Sequence, residues 1–305
     1  MSLALEVSTG AVRGGTSILY AALGETVAER SGVINLGTEG SVVAGCLAAY
    51  AATSVAGNPW VGVLAGAAAG GALAFVHGLM VVKFKTNQLA TGLVVMFLGL
   101  GLTSLFGVAY VSKVIDNFKP WKVPLLSGIP WIGEVFFQHD PLVYVSYVLA
   151  PLVWWALTRT RVGLLVRAAG ERPEALATYG YDPGLIRIGA VVVGGMLAGI
   201  GGAQLSTAYA NAWFENMANG RGFIAVALVI FAAWHPIKAV GGAYLFGAAL
   251  ALAPALQARG YQINQFALDA MPYVLTLIAL VAFGRRRVDE APEGLKEVFE
   301  LAPSG

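Results

Sequence analysis

The feature that most constrains this chain is a succession of apolar stretches, recurring along nearly its whole length, that carry almost no charge. Residues 10–28, 41–56, 61–82, 89–108, 142–157, 186–205, 223–234, 240–256 and 271–283 form the series. A helix needs about 20 apolar residues to cross the roughly 30 Å hydrocarbon layer, and most of these stretches approach that length. The spacing predicts an all-α integral membrane protein, a polytopic bundle of about nine transmembrane helices within a range of about eight to ten. Residues 223–234 are short for a crossing, so that helix is expected to begin earlier or to lie tilted in the bundle. Residues 1–284 read as one transmembrane domain and 285–305 as a cytoplasmic tail, whose charges from Asp289 to Glu300 read as a solvated face.

Composition agrees. Only 12% of the 305 residues are charged and 57% are hydrophobic, whereas soluble domains carry about 25% charged residues. A cytosolic enzyme, a nucleic-acid binder and a disordered chain are excluded. The 39 glycines point to closely packed helices. Gly66-x-x-x-Gly70 and Gly195-x-x-x-Gly199 have the spacing that lets backbones approach in lipid. The single cysteine, Cys46, lies in an apolar run and reads as a small buried residue. The N-terminus has no basic start, continuous apolar core or small-residue cleavage site, and does not read as a signal peptide.

Lysine and arginine placement sets the direction. If Arg285, Arg286 and Arg287 mark a cytoplasmic end, alternation puts Arg30, Lys83, Lys85, the 159–187 segment and Lys238 on that side too. Arg13, Lys113, Lys119, Lys122, Arg221 and Arg259 fall on the other side, several beside acids such as Asp116. The excess is inside, as the positive-inside bias requires. Trp60, Trp121, Trp131 and Trp213 are expected near outer ends and Trp154, Trp155 and Trp234 near inner ends.

Three segments depart from a plain bundle. ERSGVINLGTEG (29–40) holds two glutamates, an asparagine and three glycines between apolar spans. It reads either as a polar surface loop or as an interrupted helix lining a pathway, which is tolerated only facing protein or water. The stretch from Thr160 to Asp182 reads as short helices outside the membrane. Pro173 suits a first helical turn, Glu174 suits the positive end of the dipole, and Gly180 suits a C-terminal stop. Such a helix suggests a docking element for another protein, or an interfacial helix on lipid headgroups. The outer loop STAYANAWFENMANGRG (206–222) combines amides with aromatic faces, either to hold hydroxylated or ring-shaped solutes or as a polar cap on a helix pair.

Other chemistries lack their residues. No G-x-x-x-x-G-K-S/T phosphate loop is present. His77, His139 and His235 are scattered without metal-ligand spacing, and no catalytic or metal site is expected. The spans carry few ionisable groups beyond Glu25 and Arg13, which disfavours a different class of protein, an ion-coupled secondary carrier.

The 29–40 segment resembles the ERSGVINIGIEG signature of ABC importer permeases in the branched-chain amino acid and simple-sugar group, nearest to the nucleoside and simple-sugar branch. GLLVRAAGERPEA (163–175) is similar to that family's GLRLRAVGENPEAA segment. GRGFIAVA (220–227) resembles its GRGFIAIA, and PYVLTL (272–277) its PYVLTL near the last span. The matches run in family order over most of residues 10–284. Thr38 stands where an aliphatic residue is usual, and Trp234-His235-Pro236 where a Trp-Asn-Pro-like turn is common.

The resemblance implies a cell-membrane permease subunit that is not itself an enzyme. A separate cytoplasmic ATPase subunit would bind ATP and Mg, so no cofactor is expected in this chain. The coupling segment, about 158–185, would seat in that ATPase through Arg167, Ala168, Gly170, Glu171, Pro173, Glu174, Ala175 and Gly180. An extracytoplasmic solute-binding protein would deliver solute, and a second, related permease chain would share the path. Asn35, Glu39, Asn87, Gln88, Asn211, Phe214, Asn219 and Phe223 are the expected path residues. The expected solute is a nucleoside; simple sugars of the ribose or galactose type come next, and branched-chain amino acids after them.

Overall fold

The computed structural model describes residues 2–111, 113–261, 264, 270–272, 274–278 and 291–300. The chain is helical almost throughout. Its long helices are α1 (Leu3–Arg30), α2 (Thr38–Ala56), α3 (Pro59–Gly78), α4 (Gln88–Gly107), α6 (Pro141–Arg159), α9 (Pro183–Gln204) and α11 (Pro236–Gln257). Shorter ones are α5 (Ile132–Phe136), α7 (Arg161–Glu171), α8 (Pro173–Thr178), α10 (Arg221–Phe231) and α12 (Glu293–Glu300). α3 and α9 each run on into a π-helical turn, Leu79–Lys83 and Leu205–Tyr209. Two short strands, β1 (Trp121–Lys122) and β2 (Gln138–His139), pair antiparallel beside α5.

The helix starts are written in the sequence. Asn58, Asp140 and Asp182 each accept a backbone N–H with the side chain, and each is followed by a proline in the first turn. A capping oxygen satisfies an orphan donor, and proline there has no N–H to lose.

Among the described residues six helices are long and apolar enough to cross a membrane: Thr38–Ala56, Pro59–Lys83, Gln88–Tyr110, Pro141–Arg159, Pro183–Tyr209 and Pro236–Gln257. The expectation of about nine spans is met only in part. α1 lies where the first span was expected, but its carboxylates set it apart from a plain apolar span. α10 begins slightly earlier than the expected stretch, at Arg221, but ends at Phe231 and does not reach full length. Of the ninth span, 271–283, residues 271, 272 and 274–278 are described and helical; the others lie outside the described residues, as do Arg285, Arg286 and Arg287. The outward side of α4, with Val94, Phe97, Leu105 and Phe106 all more than half exposed, suits hydrocarbon rather than water.

α1 is the axis of the bundle. It is buried almost continuously from Ala11 to Glu29 and packs against α6, α9, α10 and α11. The two expected glycine motifs face one another across α3 and α9. A Cβ on Gly70 would lie 2.3 Å from the Gly195 carbonyl oxygen, and one on Gly199 would lie 2.1 Å from that of Gly66. Only glycine permits this approach. Two of the tryptophans expected near helix ends are covered by protein. Trp213 and Trp234 are buried, their indole N–H groups donating to the Gly107 carbonyl (3.0 Å) and to Glu29 Oε2 (2.5 Å).

In the described part of the C-terminal segment Glu293 is exposed, while apolar residues between the charges turn inward. Ala291 and Leu295 are buried, and the Glu293 backbone N–H donates to Glu171 on α7 at 3.3 Å. Leu295 gives α12 an apolar residue to set against α7, and Ala291 is buried just before the helix starts.

Candidate functional site

Between α1 and α2 the chain is not helical from Val33 to Asn35, yet this stretch is buried. The residues that follow it pack against α4 well past that helix's first turn. A Cβ on Gly37 would touch Val95 at 3.0 Å, and one on Gly40 would lie 2.9 Å from Met96 Cα. Those residues lie roughly 10–12 Å along α4 from its start. Such a path leaves backbone groups without helical partners, and in hydrocarbon each must be satisfied by protein. Polar side chains from three helices supply what is missing. Glu25 Oε1 accepts the Asn35 N–H (2.7 Å), Gln88 Oε1 accepts the Ile34 N–H (2.8 Å), and His77 Nε2 meets the Ile34 carbonyl (3.0 Å). Asn35 Oδ1 accepts the Gly37 N–H (3.0 Å), and Thr38 Oγ1 donates to Glu25 Oε2 (2.8 Å). The segment is therefore an interruption inside the bundle and not a surface loop.

A second helix begins beside this one. α10 has 11 residues, about 16 Å and half a hydrocarbon layer. Its first turn abuts the first turn of α2: Glu39 accepts the Gly220 N–H with Oε1 (2.7 Å) and the Gly222 N–H with Oε2 (2.6 Å). A carboxylate here answers the free donors and the positive dipole end of α10. Gly222 has no room for a side chain, since a Cβ would lie 2.4 Å from Glu39 Cα. The GRGF motif thus reads as a seat for Glu39.

Arg221, expected at the outer surface, is instead buried. It donates to the Ala218 carbonyl at 3.1 Å, and its guanidinium lies 5.8 Å from the Tyr209 ring. Arg13 lies 5.6 Å from that ring and donates to the Ala208 carbonyl at 2.8 Å. Glu25, Glu29, Glu39 and Arg221 are all buried. The bundle therefore holds more ionisable groups than the expectation of Glu25 and Arg13 alone. Sequence reading takes Glu29, Glu39 and Arg221 as loop residues because they flank glycine-rich stretches.

Above this junction the 206–222 loop encloses a cavity of about 430 Å³ lined by Tyr209, Phe214, Glu215, Asn216, Asn219 and Arg221 among others. Glu215 also takes a hydrogen bond from Ser104. The cavity thus offers aromatic faces, amides, a carboxylate and a cation, at a size usual for small-molecule sites. Of the expected path residues it gathers Phe214 and Asn219. Asn211 is exposed outside its lining, Phe223 lies on α10 at 36% exposure, and Asn35 and Glu39 are buried among backbone donors. Asn87 caps α4 by accepting the Ala90 N–H (3.0 Å), while Gln88 holds Ile34. Asn211, Asn216 and Asn219 all have positive φ, a conformation asparagine adopts more readily than most residues, so part of the loop's asparagine content serves its backbone.

At the opposite end, α7 and α8 form the two short helices expected between Thr160 and Asp182. Pro173 opens α8, Glu174 sits exposed in its first turn, and Gly180 (φ 80°) follows its end. Glu171, Ala175 and Gly180 are exposed as well, and Arg167, Ala168 and Pro173 are half-buried. Gly170 is buried against the polar turn, where a Cβ would lie 2.4 Å from the Arg30 carbonyl oxygen. Arg187 ties the corner together, donating to the carbonyls of Ser31 (3.1 Å) and Ala169 (2.7 Å).

Residues 8–283 match the family model described as the permease component of the branched-chain amino acid transport system. Similar chains include one from Haloferax volcanii, TsgC13, whose name assigns it provisionally as a glucose ABC transporter permease. It is 41% identical over 273 residues, 88% of this chain and 82% of that one. The guanosine ABC transporter permease NupQ of Bacillus subtilis is 32% identical, covering 87% and 88% of the two chains. The nucleoside ABC transporter permease NupC of Lactococcus lactis is 30% identical, covering 93% of each. No solved structure gives a significant match.

Proposed function

The chain is an ABC transporter permease subunit of the branched-chain amino acid transport permease family, and from that premise we propose that it forms the membrane path of an ATP-driven nucleoside importer. The observation that carries the solute reading is the cavity under the 206–222 loop, where Tyr209 and Phe214 stand beside Asn216, Asn219 and Arg221. Aromatic faces hold a base by stacking, while amides and charges answer ribose hydroxyls. The names of NupQ and NupC agree with this reading.

In the proposed cycle a cytoplasmic ATPase subunit grips α7 and α8, an extracytoplasmic binding protein delivers solute to the 206–222 loop, and a second permease chain completes the path. Movement of α7 reaches the interior through Gly170, which rests on the turn at Gly32, and through Arg187, which holds Ser31 and Ala169. That turn leads directly to Thr38 and Glu39, on which the start of α10 is seated. Closure of the ATPase would thereby shift the population between two arrangements of the α2–α10 junction. Glu39 and Asn35 frame the path, and Phe214 and Asn219 face the solute.

The test is uptake of labelled nucleosides by cells with and without the gene, with ribose, galactose and branched-chain amino acids as competitors. Loss of an uptake that only nucleosides compete for supports the proposal. A second reading, a simple-sugar path, is favoured by the similarity to TsgC13. Unchanged nucleoside uptake with loss of sugar uptake would select it.

A further inference from the structure

We propose that a groove bounded by α1, α6, α7 and α9 holds an acyl chain of an anionic phospholipid from the cytoplasmic leaflet. The groove has a volume of about 510 Å³, and every residue lining it is apolar, among them Val27, Leu152, Val153, Val162, Ile186 and Val193. It opens sideways, since Leu152, Val162 and Val193 are 50%, 69% and 46% exposed. Its floor is shallow and open along α9 at Gly189, which is exposed and where a Cβ would meet nothing within 4 Å. A dry apolar slot has no partners for water or for a hydroxylated solute.

Charge at the rim identifies the occupant. The wall passes from Leu157 to Val162 through the corner between α6 and α7, and that corner carries Arg159 and Arg161, both exposed and just outside the lining, Arg161 also bordering a neighbouring groove between α7 and α8. An apolar slot ending at two surface cations complements an acyl chain that ends in an anionic headgroup. A zwitterionic lipid or a bare apolar helix would use the slot but leave the arginines unanswered. The site joins the α6–α7 corner to α1 and α9, so a lipid seated there would brace α7 against the bundle.

The experiment uses the complete transporter in vesicles of phosphatidylethanolamine and phosphatidylglycerol. A trace of phosphatidylglycerol carries a photoactivatable diazirine in its acyl chain, and phosphatidylcholine with the same chain is the control. After illumination the labelled peptides are mapped. The proposal expects labelling within residues 149–166 and 186–197, strong with the anionic probe and weak with phosphatidylcholine. Gly189→Phe, which fills the floor, should remove the label. Arg159→Gln with Arg161→Gln should lower anionic labelling on the order of tenfold while leaving phosphatidylcholine labelling unchanged. If Gly189→Phe does not assemble, Val193→Trp at the open rim makes the same test. Undiminished labelling in the filled variants, or equal labelling by the two probes in the unaltered protein, overturns the proposal. A groove shielded from both probes by another chain of the assembly overturns it too.

Discussion

Replacing Glu39 with alanine removes both acceptors that seat the start of α10, at 2.7 Å from the Gly220 N–H and 2.6 Å from the Gly222 N–H. Each charge-assisted hydrogen bond to a buried group is worth about 1.5–3 kcal/mol, so the pair predicts a loss of about 3–6 kcal/mol. Water cannot replace the acceptors, because Glu39 is 3% exposed. Glutamine keeps one carbonyl oxygen but turns an N–H group toward the second donor, so its loss should be about half that of alanine or somewhat more. Heat survival of the assembled transporter in detergent measures this. The alanine variant should melt on the order of 10 °C lower, with glutamine in between. An alanine variant melting with the unaltered protein would refute the capping argument. A glutamine variant that melts normally yet transports nothing would move Glu39 from the frame of the path to its solute-facing wall.

Other predictions follow from the same geometry. Glu174→Lys puts a cation at the positive end of α8 and on its exposed surface; uptake should fall while membrane insertion, followed by fractionation, stays normal. Gly199→Val inserts a side chain where even a Cβ lies 2.1 Å from the Gly66 carbonyl. It should force α3 and α9 apart and abolish accumulation of the protein in membranes, read by immunoblot. Phe214→Ala removes an aromatic face from the 430 Å³ cavity. On the nucleoside reading it should raise the KM for nucleosides about tenfold, since stacking is worth about 1–3 kcal/mol per base; on the sugar reading the loss should be smaller.

Six of the expected spans and the glycine seam were legible because each obeys a local rule. Asn58-Pro59, Asp140-Pro141 and Asp182-Pro183 announce helix starts, and the two small-residue motifs announce a close seam. What stayed hidden was depth. Apolar periodicity places a polar stretch between two helices but does not say whether it lies on the membrane or within it, so the 29–40 segment supported both readings. The partners that decide the matter are distant in sequence. Glu39 answers Gly220 and Gly222, Gln88 answers Ile34, and Glu29 answers Trp234.

One physical demand explains the placement of these residues. A helix that stops inside hydrocarbon exposes backbone donors and acceptors, and only side chains or another helix end can satisfy them. α2 and α10 both start inside the bundle, and Glu39 on one answers the orphan donors of the other. Glu25, Asn35, Gln88 and His77 perform the same service along the approach to α2. The polar residues that make the chain look like a carrier with intramembrane carboxylates are thus spent on its own backbone. The two helix ends are joined by these hydrogen bonds and by apolar packing, with Val42, Val43, Ile224 and Ala225 in one buried cluster, whereas α3 and α9 meet through backbone at the glycine seam. In the proposed cycle a movement delivered at Gly170 and Arg187 reaches this junction through the turn at Ser31 and Gly32.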